Sequence, residues 1–118
     1  MRLCLFSMAL LFQTAEPTRI QVRAGGPAVA LEGDVEKDKE VVFIFHARAG
    51  LKFRGLLKTK SGKAGFAVDD ADGKGLPEEE FDFNTSLVGS LQKTSDYKIS
   101  IATFEPRRVH FTLTVRVY

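Results

Sequence analysis

Thr94–Tyr118 reads TSDYKISIATFEPRRVHFTLTVRVY and holds two runs in which apolar and polar side chains alternate. In the first run Tyr97, Ile99, Ile101 and Thr103 alternate with Lys98, Ser100 and Ala102. In the second, Val109, Phe111, Leu113, Val115 and Val117 alternate with His110, Thr112, Thr114 and Arg116. Strand side chains change face with a period of two, so each run carries one apolar face and one polar face. The polar break Glu105-Pro106-Arg107-Arg108 lies between them, and the stretch predicts a half-buried antiparallel hairpin.

The same pattern recurs upstream. Arg19–Arg23 alternates briefly and stops at Gly25-Gly26-Pro27, and Ala28–Leu31 ends in the turn signal Gly33-Asp34. The charge run Glu36–Glu40 predicts a solvated connection. Val41–Arg48 is the most apolar run and belongs in the middle of a sheet, with Phe43 and Phe45 on one face. Ala49-Gly50 turns into Leu51–Lys58, where Gly55 interrupts the apolar face and signals a bulge or a close backbone approach. After the Ser61-Gly62-Lys63 turn comes a short strand, Ala64–Val68, and then the polar loop Asp69–Gly75. Leu76–Glu80 is expected to run along the surface, and Phe81, Phe83, Leu87 and Leu91 add core residues. Short strands with turns every eight to twelve residues or so predict an all-β fold, a small antiparallel β-sandwich of seven to eight strands.

A chain of 118 residues with 44% hydrophobic content and ten Phe holds one domain with a core of its own. Seventeen basic against fifteen acidic residues give a net charge of +2, too balanced for a nucleic-acid binder. Met1-Arg2, the apolar run Leu3–Phe12 and Gln13-Thr14-Ala15 before Glu16-Pro17 resemble a secretory signal peptide cleaved after Ala15. The run is shorter than the roughly 20 residues that span a bilayer. The expected organisation is therefore a signal peptide over residues 1–15 and one β-sandwich domain over 16–118. Cleavage removes Cys4, the single Cys, and leaves no membrane attachment. An exported, Cys-free product fits a bacterial periplasm or exterior.

No catalytic constellation is present. His46 and His110 lie far apart, each in an alternating strand, and no G-x-S-x-G elbow or phosphate loop opens a helix. The sequence therefore predicts no enzyme and no cofactor. Asp70, Asp72 and Gly75 match positions 1, 3 and 6 of a calcium-binding EF-hand loop, but Lys74 and Phe81 occupy positions 5 and 12, where ligand oxygens belong. The loop reads as a turn with no metal, Asp69, Asp70 and Asp72 being the weak candidates for a looser calcium site.

Four pieces in order resemble the bacterial pre-peptidase C-terminal (PPC) domain, a small secreted β-sandwich: Phe43–Phe53, Ala67–Lys74, Thr94–Ile101 and Phe111–Val115. They correspond to that family's strand, Ala-Gly turn and strand, its Asp-x-Asp-Gly loop, its Thr-Gly-x-Tyr corner and its last strand. The arrangement is also similar to the periplasmic inhibitors of goose-type lysozyme, whose Ser-Gly-x-Tyr loop falls here on Thr94-Ser95-Asp96-Tyr97. Tyr97 is retained, Ser95 replaces the Gly, and Asp96 adds an acid. If that Gly serves a positive φ, Ser95 is strained there. The resemblance implies a noncatalytic module that contacts a protein or glycan through end loops. Two narrower functions stay open, inhibition of a goose-type lysozyme through Thr94–Tyr97 and calcium-dependent matrix binding. Tyr97 has a second reading, as a tyrosine corner tying its hydroxyl to backbone.

Overall fold

The computed structural model describes residues 16–76 and 85–118. The proposed signal peptide, and Phe81 and Phe83, lie outside the described residues. Eight strands are described: β1 (Thr18–Arg19), β2 (Val29–Val35), β3 (Val41–Ala47), β4 (Lys52–Thr59), β5 (Gly65–Asp69), β6 (Ser86–Ser90), β7 (Ser95–Ala102) and β8 (Val109–Val117). They form two four-stranded sheets, ordered β1-β3-β7-β5 and β2-β8-β4-β6. Every pairing is antiparallel except β1 with β3. The protein is an all-β sandwich.

Odd-numbered strands make one sheet and even-numbered strands the other, so consecutive strands always lie in opposite sheets. The terminal pair is therefore not a hairpin. β7 pairs with β3 and β5, while β8 pairs with β2 and β4. The alternation is real, but a period of two says only that a strand has one buried face. It does not say whether the next strand lies beside it or across the core. Sheets pack about 10 Å apart, a gap that three or four extended residues cross, so the 103–108 connection is long enough for either route.

The apolar faces meet between the sheets. Phe45, Phe53, Phe66, Ile99, Ile101, Phe111, Leu113 and Val115 are wholly buried there. The rings of Phe45 and Phe53 stack across the gap at 5.6 Å, and Phe45 also stacks on Tyr97 at 5.5 Å. Each such burial contributes about 1.5–3 kcal/mol, which explains a core that needs no disulfide.

Two of the strand glycines, Gly33 and Gly55, make room for rings. A Cβ at Gly55 would sit 3.0 Å from the rings of both Phe53 and Phe66. Pairing with β8 continues through it without an extra residue, so this is a close approach and not a bulge. Gly33 is not a turn residue. It pairs with Phe111, whose ring would lie 3.0 Å from an added Cβ, and β2 runs on to Val35. The turn falls instead in 36–40, where Lys39 N–H donates to Glu36 O and Asp38 takes a φ of 67°. Three further differences are local. Pairing over Arg19–Arg23 shrinks to β1, Leu76 is buried, and Ser86–Ser90 forms a strand that carries Leu87 inward.

Candidate functional site

One end of the sandwich, here the near end, gathers the connections 48–51, 70–76 and 91–94. Tyr97 is the buried peg beneath them. It is fully buried, donates its hydroxyl to Lys93 O at 2.6 Å and accepts Lys93 N–H at 3.2 Å. This is a tyrosine corner, made by the second residue after the strand begins reaching back four positions. Both backbone polar groups of Lys93 are thereby satisfied by one buried side chain.

The neighbouring residues join the other two connections to it. Thr94 Oγ1 accepts the N–H of Ala49 at 3.0 Å, and Gly50 N–H donates to Leu91 O at 2.8 Å. Ser95 is buried, accepts Ala71 N–H at 3.1 Å and donates to Asp96 O at 3.0 Å. It lies in β7, and the described non-glycine residue with positive φ is Asp38, so the expected strain at Ser95 does not arise.

Asp96 turns away from the 91–94 turn, toward the outside of the odd-numbered sheet. Its carboxylate receives Arg19 Nη2 at 2.9 Å and faces His46 Nδ1 at 3.0 Å. Hydrogen bonds from Arg19 and then His46 hold its pKa down to about 2. The parallel register of β1 on β3 and the pairing of His46 with Asp96 across β3 and β7 bring these residues together. The sequence offered no signal for this trio, because Arg19 and Asp96 are 77 residues apart.

The Asp69–Gly75 loop is organised by Asp70. Its Oδ1 accepts the N–H of Asp72 at 2.9 Å and of Lys74 at 3.0 Å, while Gly73 closes the turn with a φ of 83°. The positive φ belongs to Gly73, not to Gly75 as an EF-hand register would require. The Lys74 N–H above all lowers the pKa of Asp70. Lys93 Nζ sits 2.5 Å from Asp72 Oδ2 and 3.5 Å from Asp70 Oδ2, so an ammonium occupies the space between the two carboxylates. Asp69 stands apart, its pKa raised by partial burial. Among the described residues no three metal-ligating side chains converge.

Of the sequence candidates, Ser95 and Tyr97 are thus buried fastenings, Thr94 is an exposed one, and Asp96 is held in an exposed ion pair. Gln92, Lys93 and Thr94 form the exposed crest. A concavity of about 360 Å³ beside that crest is lined by Asp70, Lys74, Ser90, Gln92, Lys93 and others. Gln92 was missed, since an isolated polar residue between strands has no distinguishing pattern. The arrangement presents fixed hydrogen-bonding groups and charges.

The fold and site define a small, two-sheet antiparallel β-sandwich with a tyrosine corner and an Asp-Gly loop at one end. No family profile and no curated protein matches this sequence. Among solved structures the chain is similar to Aeromonas hydrophila PliG, a periplasmic inhibitor of g-type lysozyme. That match has a TM-score of 0.65 at 20% identity over 90% of this chain and 100% of the other. Salmonella Typhimurium PliG, described in the same way, gives 0.66 at 13% identity over 88% and 99%. The pre-peptidase C-terminal domain of a Bacillus anthracis collagenase gives 0.60 at 9% identity over 86% and 95%. At these identities the likeness is one of fold.

Proposed function

We propose that this protein is an exported, noncatalytic binding module that grips a protein partner with the near end of its sandwich, and that the partner is a goose-type lysozyme. The observation that carries this reading is the cross-fastening of three connections by Thr94, Ser95 and Tyr97. A surface whose backbone is already fixed loses little conformational entropy on binding, and preorganisation of this kind is a main source of affinity in inhibitors. The choice of enzyme is supported by the whole-length likeness to two inhibitors of g-type lysozyme. The acting surface differs from a finger led by a tyrosine. Tyr97 is the buried anchor, and the exposed Gln92-Lys93-Thr94 crest makes the contact.

The test is direct. At micromolar concentration the protein should slow a goose-type lysozyme acting on bacterial cell walls and leave a chicken-type lysozyme unaffected. Undiminished goose-type activity at that concentration would refute the choice of partner.

A further inference from the structure

Beyond the near-end crest, a second surface carries its own chemistry. After β1 the chain leaves the odd-numbered sheet, Ile20 N–H still bonding Ile44 O at 2.8 Å. It then joins the even-numbered sheet, where Ala24 bridges Val117 and Gly25 N–H bonds Val117 O at 2.8 Å. Residues 20–24 therefore cross the open side of the sandwich as a strap. Two adjoining concavities of about 290 and 350 Å³ flank it and share Val22 and His46 as walls.

The floor of this double groove is apolar. Ile20, Val22 and Leu51 pack against the core while remaining partly accessible, and Val117 closes the base. Its rim is basic: Arg19 and Arg23 line one concavity, Arg48 the other, and His46 both. No carboxylate is among the described residues lining either. Arg19 and His46 are committed to Asp96. Arg23 and Arg48 are exposed and carry no ion pair among the described residues.

We propose that this groove binds an extended acidic segment of a protein, one carboxylate pairing with Arg23, another with Arg48, and an apolar side chain between them on Val22 and Leu51. The two arginines supply planar, doubly donating partners suited to carboxylates. The apolar floor selects a peptide over a phosphate or an anionic sugar, which would leave Val22 and Leu51 in contact with water. Two joined concavities suit an extended strand better than a single ion. This site does not depend on the identity of the near-end partner.

The test uses three fluorescent peptides of equal length, alternating Leu with Glu, Gln or Lys, and heparin as a polyanionic sugar. The Leu-Glu peptide should bind with its amide signals mapping to Val22, Leu51 and Val117, and binding should weaken as salt is raised. Arg23→Gln and Arg48→Gln should each weaken it about tenfold, with unchanged melting because neither side chain supports the fold. Equal binding of the Glu and Gln peptides, full binding by the double variant, or tighter heparin binding at the same residues would overturn the proposal.

Discussion

The two ends of the sandwich solve one problem with different finishes. At the near end, Tyr97 and Ser95 tie the 91–94 turn to its neighbours from below, and the exposed surface is polar and charged. At the far end, where 36–40, 60–64 and 103–108 meet, the fastening is Thr103. It is buried, donates to Lys63 O at 2.6 Å and accepts Glu105 N–H at 3.0 Å. Next to it Phe104 is 78% exposed beside a concavity of about 580 Å³ that Leu57, Ala64 and Phe104 line. Buried hydroxyls hold the connections at both ends, so rigidity alone does not separate them. The side chains they offer a partner do: both ends carry charge, but the far end adds the exposed ring of Phe104 and its concavity, whereas the near end presents the Gln92-Lys93-Thr94 crest.

The largest effect expected from breaking this arrangement is at Tyr97. Tyr97→Ala removes a fully buried ring from the stack on Phe45 and should cost about 3–5 kcal/mol in chemical denaturation. Tyr97→Phe keeps the ring and removes only the corner, at a cost of about 1 kcal/mol. Thr103→Val at the far end strands a carbonyl and an N–H, and about 1–3 kcal/mol is expected. A Tyr97→Phe variant as stable as the parent would remove the corner from the account.

A smaller effect concerns Asp96. Its carboxylate should titrate near 2 by NMR, and Arg19→Ala should move it up toward the ordinary value of about 3.9. The folded pKa lies below the unfolded one. The linked stability is therefore present above about pH 4 and is lost as pH falls toward 2. In Asp96→Asn that part of the acid sensitivity should vanish. The smallest effect is that of calcium. With Lys93 between Asp70 and Asp72, calcium at about ten times a micromolar dissociation constant should leave the melting temperature unchanged. A strong rise would show that Lys93 can be displaced.

Much of the fold was legible because burial in a strand leaves a period of two. Phe43, Phe45, Phe53, Phe66, Ile99, Ile101, Phe111, Leu113 and Val115 were all expected in the core and are buried. Connectivity was not legible, since β7 and β8 look the same in sequence whether they pair or face each other. Gly33 misled for a related reason: the missing side chain serves Phe111, a residue 78 positions away whose ring no local window contains. At the near end the corner reading of Tyr97 could be drawn from its place at the start of a late strand. The Arg19–Asp96–His46 trio and the strap over the groove depend on long-range pairing that one sequence does not reveal.

The comparison of the two ends comes down to which one the partner touches. Gln92→Trp adds bulk to the exposed near-end crest, and Phe104→Ala strips the far end of its exposed ring; neither side chain is buried, so stability should stay within about 0.5 kcal/mol. Inhibition of a goose-type lysozyme, measured for both variants alongside the parent protein, is the deciding experiment. At least a tenfold loss, about 1.4 kcal/mol, is expected for Gln92→Trp and none for Phe104→Ala. Full inhibition by Gln92→Trp together with its loss in Phe104→Ala would place binding at the far end and contradict the near-end reading.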